Sequence, residues 1–590
     1  MTKTVYVIDV KSGNLQSLIN AIKKVGDFEV KLIGNAEEFK QAESQIEKLI
    51  FPGVGNFAHF VKQLHDRDLV EPIKAYIDAG KSLMGVCVGL QTLFDSSEES
   101  EDLTYRGLGY IDMKLKKFNT EDKKFAEKSL RKSVPAIGWN NVDVINVDGK
   151  ELPQDKAYYG INNKNKYYFV HSYAAIVDEE TEEVLDKATQ NGWNFCYATY
   201  GSEKFIAAVS YKNCFATQFH PEKSGIAGLK VIKSFLEDTK YSEVNHKDFQ
   251  VVDTKIQKSL DGLTRRIIAC LDVRANDQGD LVVTKGDQYN VRQSGDDGSN
   301  NVRNLGKPVE LATRYFYQGA DEVTFLNITS FRDSPLEDLP MLEVLRLAAK
   351  NIFVPLTVGG GIKDMTDPKT GKLVPAVEVA DLYFRSGADK VSIGSDAVTI
   401  AENYYANGKT KTGTTSVETI SATFGAQAVV ISVDPKRKYV ASPQDTTMET
   451  IKITDASKFG PNGEQYCYYQ VTSQGGRKVH ELGALELCLA CEALGAGEVL
   501  LNSIDHDGSN KGYNLELLRQ IKTRVSIPVI ASSGAGKPEH FEEVFKMDCG
   551  IDAALGAGLF HREEYKVNDV KRFLLNDANM DVRLDDEVEL

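Results

Sequence analysis

A cysteine between two glycines, together with a distant histidine–glutamate pair, has the residue types and spacing needed for covalent chemistry. Cys87 is the centre of the run Gly85-Val-Cys-Val-Gly89, between a short apolar stretch and a stretch of helical periodicity. A strand–nucleophile–helix turn requires small neighbours and places the thiol near a helix N-terminus, which favours the thiolate. His220 follows 133 positions later, with Glu222 two positions beyond it. The pattern predicts a Cys87–His220–Glu222 triad. The alternative, a buried structural cysteine, leaves the glycines and the paired histidine unexplained.

Two aspartates in the second half of the chain indicate a second kind of chemistry. Asp272 and Asp434 each follow a short apolar run, so we expect each to end a strand. If both strands belong to one barrel, the carboxylates face each other across its mouth and can act as general acid and general base. The alternative is that each aspartate only caps the helix that follows it.

Glycine-rich turns follow several of the same apolar runs, and their backbone N–H groups are suited to binding phosphate. The turns form two sets, half a barrel apart. The sequence therefore predicts a long substrate with a phosphate at each end. The turn residues assigned to phosphate binding are Gly360, Gly361, Gly394, Ser395, Gly534, Gly536, Gly556 and Gly558.

Four charged residues stand just before predicted barrel strands, at the opposite end from the aspartates. They are Arg266, Glu322, Lys390 and Glu498. Two cations and two anions at this end would form a ring of ion pairs that closes the barrel floor. The alternative is ordinary solvated charge at the ends of strands.

The elements that must position these groups fall into two α/β series. Strand-like runs alternate with helical periodicity over residues 1–237, a polar linker is predicted at 238–264, and a second series fills 265–590. The predicted strands of the first series are 5–10, 48–51, 82–86, 167–170, 205–209 and 214–218. Those of the second series are 266–272, 323–327, 356–358, 391–393, 429–433, 499–504, 529–531 and 553–555. The fold class is therefore α/β, with an α/β domain followed by a (β/α)8 barrel.

An internal repeat supports the barrel. Cys270-Leu-Asp272 and Ser432-Val-Asp434 are 162 positions apart, and so are Gly394-Ser-Asp and Gly556-Ala-Gly. The run Gly319-Ala-Asp-Glu-Val returns at Gly495 in altered form, 176 positions on, and offsets near one value indicate two half-barrels of four strand–helix units each.

Composition excludes several classes of function. The chain of 590 residues has a net charge of −15, which argues against nucleic-acid binding by bulk electrostatics. It has no apolar run long enough to span a bilayer and no secretory signal at its start, and its eight cysteines are scattered, so we expect a cytoplasmic protein without a membrane partner. Cys488 and Cys491 form a C-x-x-C motif within a helical segment. We expect this helix to pack against the core, and the sequence predicts no protein-held metal.

These motifs resemble two known families. The elbow Gly-Val-Cys87-Val-Gly-Leu-Gln91, the closing His220-Pro-Glu222-Lys and the run Pro52-Gly-Val-Gly55 resemble class I glutamine amidotransferases. The runs Arg266-Ile-Ile-Ala-Cys-Leu-Asp272, Leu356-Thr-Val-Gly-Gly-Gly-Ile362 and Ser503-Ile-Asp-His-Asp507-Gly resemble the cyclase barrels of histidine biosynthesis. In this order on one chain, they resemble the bifunctional imidazole glycerol phosphate synthases of fungi and plants.

The resemblance implies glutamine hydrolysis at Cys87 and passage of the ammonia through the barrel. There, the ammonia would convert phosphoribulosyl-formimino-AICAR phosphate into imidazole glycerol phosphate and AICAR, a step of histidine biosynthesis that also feeds purine synthesis. The substrates are small molecules, no cofactor is implied, and no separate glutaminase subunit is needed.

The resemblance also assigns further residues. The oxyanion and glutamine-binding residues would be Gly53, Val54, Gly55, Val88 and Gln91, and further contacts to the ribonucleotide would come from Lys285 and Asp507. The four floor charges would form an ammonia gate. The chain departs from the bacterial pattern at Asn327, Asn514 and Ser533. The alternative function is a Cys-His-Glu hydrolase with an isomerase-like or non-catalytic phosphate-binding barrel.

Overall fold

The computed structural model describes residues 3–53, 55–100, 104–153, 155–244, 256–276, 280–284, 292–294, 300–302, 304–328, 339–367 and 370–584. Two of the predicted site residues, Val54 and Lys285, lie outside these ranges. No helix in the described ranges is both long enough and apolar enough to cross a bilayer.

A mixed sheet flanked by helices forms the core of the N-terminal half. Its inner parallel strands Lys48–Gly53 and Ser82–Cys87 are mostly buried because both faces are covered, whereas the edge strand Phe28–Ile33 has exposed residues. In the described chain its strands are Lys3–Ile8, Phe28–Ile33, Lys48–Gly53, Ser82–Cys87, Ile176–Val177, Asn194–Tyr200, Glu203–Tyr211 and Cys214–Thr217. The helices of this half are Leu15–Val25, Ala36–Ala42, Phe57–Asp66, Val70–Asp78, Val88–Gln91, Lys123–Ala126, Glu182–Gln190 and Gly225–Leu236.

One predicted strand lies outside this sheet. Residues 167–170 belong to the strand Lys166–His171, which pairs antiparallel with Ala136–Asn141 in a separate two-stranded sheet. Periodicity identifies a strand, but the sheet it joins depends on contacts between distant segments.

A closed barrel of parallel strands forms the C-terminal half, which confirms the predicted fold. In the described chain the barrel strands, numbered β1 to β8, are Arg266–Ala275, Glu322–Asn327, Leu356–Gly359, Lys390–Ile393, Val429–Val440, Glu498–Asn502, Val529–Ser532 and Ala553–Gly556. Pairing of Arg266 in β1 with Ala553 in β8 closes the barrel. The helices of this half are Pro308–Tyr317, Leu339–Ala348, Ala376–Arg385, Ser395–Ala406, Ser416–Phe424, Ala484–Ala493, Leu515–Lys522, Pro538–Phe545, Gly558–His561 and Val567–Asn576. The barrel interior holds a separate apolar cluster of Ile268, Cys270, Val430, Leu500, Ile530, Ala553 and Leu555.

The first strand of each half-barrel is longer than predicted. β1 and β5 run beyond the barrel into antiparallel pairing, in which Asp272 pairs with Thr284 and Asp434 with Thr472. The prediction that Asp272 and Asp434 end their strands is therefore wrong. They stand where each strand changes from parallel to antiparallel partners, a symmetry that matches the internal repeat.

The segment predicted as a polar linker contains structure of its own. Tyr241–Glu243 is a short strand that pairs antiparallel with Lys156–Tyr158, so part of the predicted linker belongs to a sheet. Farther on, the Thr264 backbone N–H donates to the Trp139 carbonyl at 3.0 Å. The end of the segment is thus held against the N-terminal half.

Candidate active sites

A strained turn at Cys87 joins the strand Ser82–Cys87 to the helix Val88–Gln91. Cys87 has φ 51°, in the left-handed region that L residues rarely adopt. Its glycine neighbours are required by close packing. A Cβ on Gly85 would lie 2.9 Å from the Ala216 Cβ, and one on Gly89 would lie 2.1 Å from the Phe51 carbonyl oxygen. The local sequence therefore produces the predicted nucleophile elbow.

The triad residues lie together at this turn. His220 hydrogen-bonds Cys87, and its Nδ1 lies 2.8 Å from Glu222 Oε1. Burial alone lowers the pKa of His220, but negative charge at Cys87 and Glu222 raises this pKa well above its ordinary value. Burial raises the pKa of Glu222, but His220 lowers it below its ordinary value. A histidine oriented by a carboxylate therefore lies beside the sulfur, an arrangement suited to attack by the sulfur on an amide carbon.

The predicted glutamine-binding residues surround the turn at different depths. A Cβ on Gly53 would lie 2.0 Å from the Gly89 N, so the backbone of Gly53 passes directly over the elbow. Gly53 and Gly55 line a cavity with Cys87, whereas Val88 and Gln91 do not line it. The amide of Gln91 donates to the Tyr173 carbonyl at 3.0 Å, which makes it part of the wall behind the cavity.

Two polar residues were not predicted from the sequence: one contacts Cys87, and the other contacts the segment that follows Gly55. Gln218 Nε2 lies 3.5 Å from Cys87 Sγ, and its position two residues before His220 on the same chain segment was the available signal. Glu99 accepts a hydrogen bond from the Phe57 backbone N–H at 2.7 Å, two residues beyond the cavity-lining Gly55, and burial raises its pKa to about 7. Glu99 lies within an acidic run that reads as a solvated surface, so the sequence offered no signal for it.

The cavity at Cys87 is shared between the two halves of the chain. It measures about 50 Å³ and is lined by Cys87 and His220 from one half and by Phe384 and Lys390 from the other. Asp389 fixes this contact, because its carboxylate accepts from Asn14 Nδ2 at 2.8 Å and pairs with Lys223 Nζ at 2.7 Å. The triad thus faces the amino-terminal end of the barrel.

The four charged residues of the barrel floor form a closed ring. Arg266 pairs with Glu322 (3.0 Å) and with Glu498, and Lys390 pairs with Glu322 and with Glu498, each at 2.7 Å. All four side chains are at most 1% exposed. Burial raises the pKa of Glu498, but Arg266 and Lys390 lower it below its ordinary value. The ring is therefore charged and alternates in sign, and Lys390 also borders the Cys87 cavity.

A larger cavity opens at the other end of the barrel. It measures about 400 Å³ and contains Asp272 and Asp434 in its wall. The predicted substrate-binding residues that line it are Gly360, Gly361, Gly394, Ser395, Asp507, Gly534 and Gly558. Gly536 and Gly556 do not line it. A Cβ on Gly536 would lie 2.8 Å from the Asn510 carbonyl oxygen and one on Gly556 would lie 2.6 Å from the Phe560 ring, so these two glycines serve packing.

Asp434 has the environment of a proton-transfer group. Burial raises its pKa to about 6, with further upward contributions from Asp507 and Asp272. Asn502, which was not predicted, donates to Asp434 Oδ1 at 2.9 Å and opposes this shift. A carboxyl with a pKa of about 6 can both release and accept a proton near neutral pH.

The positions that depart from the bacterial pattern have different surroundings. Asn327 and Ser533 line the large cavity. Asn514 caps the helix Leu515–Lys522 and accepts a hydrogen bond from the Tyr469 hydroxyl at 3.0 Å.

The Cys488 and Cys491 thiols are buried in the helix Ala484–Ala493, and burial raises the pKa of Cys491 to about 12. In the described ranges no three His, Cys, Asp or Glu side chains are grouped closely enough to hold a metal ion.

The fold and the two sites define a class I glutamine amidotransferase joined to a histidine-biosynthesis barrel. Residues 6–238 match the family described as Glutamine amidotransferase class-I, and residues 266–566 match the family described as Histidine biosynthesis protein. Among similar proteins is the imidazole glycerol phosphate synthase hisHF of Emericella nidulans, which is 52% identical over 574 residues, 97% of each chain.

Two further relatives carry the same name. The imidazole glycerol phosphate synthase hisHF of Schizosaccharomyces pombe is 52% identical over 97% of this chain and 98% of its own. The chloroplastic protein of Arabidopsis thaliana is 46% identical over 98% of this chain and 89% of its own. The chain belongs to the imidazole glycerol phosphate synthase hisHF family, and the resemblance read from the sequence is confirmed.

Proposed function

We propose that the chain hydrolyses glutamine at Cys87 and delivers the ammonia through the barrel to a cyclase site at Asp272 and Asp434. The observation that carries the proposal is the shared cavity, whose wall includes both the triad and Lys390 of the floor ring. A hydrolase with a silent barrel would not require its triad to face the barrel floor. The substrates would be glutamine and the formimino ribonucleotide, and one chain would supply both sites.

In the first half-reaction, the Cys87 sulfur attacks the glutamine amide carbon. His220 donates its proton to the departing ammonia and then removes a proton from the water that hydrolyses the thioester. Glu222 keeps the ring oriented through both steps. Backbone amides around Gly53 and Val88 are proposed to stabilise the oxyanion.

In the second half-reaction, ammonia reaches the large cavity as a neutral molecule. In bulk water it would be largely ammonium, a poor nucleophile, so a shielded route preserves its reactivity. Asp272 and Asp434 are proposed to move protons as ammonia forms an imine with the ribonucleotide and the ring closes. Turns containing Gly361, Ser395 and Gly534 are proposed to bind the two phosphates.

The proposed function is tested by mixing the protein with glutamine and the formimino ribonucleotide and following the loss of ribonucleotide absorbance. We expect turnover with either glutamine or ammonium salt. Glutamine hydrolysis with no conversion of the ribonucleotide from either source would contradict the proposal and favour the hydrolase alternative.

Replacing Lys390 with methionine should uncouple the two half-reactions. The change removes one cation of the ring. It breaks one ion pair of Glu322 and one ion pair of Glu498. We expect about two- to tenfold more glutamate than imidazole glycerol phosphate, because breaking a buried network disturbs the ammonia route. The two products are quantified in the same reaction. Lys372→Met, on an exposed side chain, is the matched control and should keep the ratio near one.

Replacing Glu99 with glutamine should weaken glutamine binding. We propose that the Glu99 carboxylate attracts the α-ammonium group of glutamine, so E99Q should raise KM for glutamine by about 10-fold or more. Since the pKa of Glu99 is about 7, the wild-type KM should rise as the pH falls below 7 and the carboxyl becomes protonated. The exposed neighbour variant Glu98→Gln serves as control. An unchanged KM in E99Q would exclude this role.

The predicted boundaries 1–237, 238–264 and 265–590 and the cytoplasmic location are retained as proposals. Limited proteolysis and imaging of a fluorescent fusion, respectively, test them.

A further inference from the structure

A serine, a histidine and a glutamate outside both sites form a hydrogen-bonded relay beside the large cavity. His480 Nε2 lies 2.8 Å from Ser473 Oγ, and His480 Nδ1 lies 2.9 Å from Glu402 Oε1. Ser473 ends the strand Tyr466–Ser473, His480 is in the strand Lys478–Gly483, and Glu402 is in the helix Ser395–Ala406. The relay therefore joins a hairpin inserted after β5 to the helix that follows β4.

The geometry resembles a hydrolytic triad, but its position is against that use. Ser473 is 5% exposed and His480 is 7% exposed. Neither side chain lines the large cavity, whereas a nucleophilic serine requires a site beside it for the reacting atom. The relay is better explained by the contacts of the two residues on either side of Ser473.

The residues on either side of Ser473 contact the proposed cyclase site. The Thr472 hydroxyl donates to the Asp434 carbonyl at 2.6 Å. On the other side, the Gln474 backbone N–H donates to Ser395 Oγ at 3.2 Å. Three successive residues thus link the strand that carries Asp434, the relay and the turn proposed to bind phosphate.

The hairpin tip itself reaches the large cavity. Gln474, Gly475 and Arg477 line it, on the same side as Gly394 and Ser395. Gln474, Gly475 and Gly476 all have positive φ, so the tip is a tight turn whose position depends on the strands beneath it. The tip adds a guanidinium group and backbone amides to the N-terminus of the helix Ser395–Ala406, where a phosphate is favoured.

We infer that Glu402 and His480 are a positioning pair that holds the hairpin tip against Ser395, so that one phosphate of the substrate meets a preformed site. The inference rests on the proposed function. Glu402 orients His480, His480 fixes Ser473, and the strand then places Gln474 and Arg477 at the phosphate. Because the same strand holds the Asp434 carbonyl, the pair also sets the distance between the phosphate site and this aspartate.

The test measures ammonium-dependent turnover of the formimino ribonucleotide by Glu402→Gln and His480→Phe. E402Q should raise KM for the ribonucleotide about three- to tenfold with kcat changed less than about threefold, since preorganisation of binding is what is lost. H480F should show a larger effect of the same kind. Glutamine hydrolysis without ribonucleotide should be unchanged in both. Glu481→Gln, an exposed acid on the same hairpin, is the matched control.

A double-mutant cycle separates positioning from a general structural effect. If the pair acts through Ser395, E402Q should add little to the rise in KM that Ser395→Ala already causes. Fully additive effects, or a wild-type KM in both E402Q and H480F, would overturn the inference. Absence of ribonucleotide turnover by the wild-type chain would instead contradict the proposed function.

Discussion

Replacing Cys87 with alanine is expected to abolish glutamine-dependent formation of imidazole glycerol phosphate while ammonium-dependent formation continues. The loss should be at least about 10³-fold, because no other group takes over the role of an activated nucleophile. The ammonium-dependent rate should stay within about twofold, because the substitution leaves the barrel cavity untouched and ammonium salt supplies the nitrogen directly. Both rates are measured on the same preparation by the absorbance of the ribonucleotide.

The control is another buried cysteine of the same sheet. Cys214 lies in the strand Cys214–Thr217, paired with Leu83 of the strand that ends at Cys87. Cys214→Ala should keep both rates near those of the wild type. If C87A retained glutamine-dependent turnover, the triad would not be the ammonia source. If it lost both activities, the two half-reactions would not be separable as proposed.

Replacing Asp434 with asparagine is expected to abolish ribonucleotide conversion from either nitrogen source while glutamine hydrolysis persists. Loss of a positioned general acid–base group should cost about 10²- to 10⁴-fold. The amide of asparagine is close in size to the carboxyl group, so the cavity should keep its shape. Kinetics with ammonium salt isolate the cyclase step, and glutamate release measures the other site.

The pH dependence offers a second check on Asp434. Its pKa of about 6 lies above that of an ordinary aspartate. If the ionised form acts as the base, glutamine-dependent turnover should fall as the pH drops through 6. Asn502→Ala removes a hydrogen bond that lowers this pKa, so its pH profile should move to higher pH. Asp548→Asn, an exposed surface variant, should leave the profile in place. A D434N enzyme with wild-type cyclase kinetics would contradict the assignment.

Much of the fold could be predicted from the sequence because local interactions constrain the pattern of apolar residues. Parallel strands buried on both faces give continuous apolar runs, and similar offsets between matching motifs of the two half-barrels indicated the repeat. These two patterns made the barrel predictable, and the structure confirms it. Strand limits were less accurate: β6 ends at Asn502 rather than at residue 504, and β5 runs on to Val440. Ends depend on pairing with distant residues, which periodicity does not report.

The glycines show a limit of prediction from the sequence, which does not distinguish a glycine that binds ligand from one required by packing. Gly361 and Gly534 line the large cavity and Gly536 and Gly556 do not, yet a Cβ would lie within 3 Å of a neighbouring atom at Gly534 as well as at Gly536 and Gly556. Close approach of a ligand and close approach of a neighbouring chain segment select the same residue. Only the coordinates distinguish the two causes.

The sequence by itself determined the reactive groups, because a nucleophile elbow, a histidine–glutamate pair and two symmetric aspartates are local patterns imposed by chemistry. Tertiary structure decided what surrounds them. Gln218 reaches Cys87, Asn502 reaches Asp434, and Asp389 joins the two halves through contacts between residues far apart in sequence. The raised pKa of Asp434 has the same origin. Burial depends on which segments meet in the folded chain, so no local pattern encodes it.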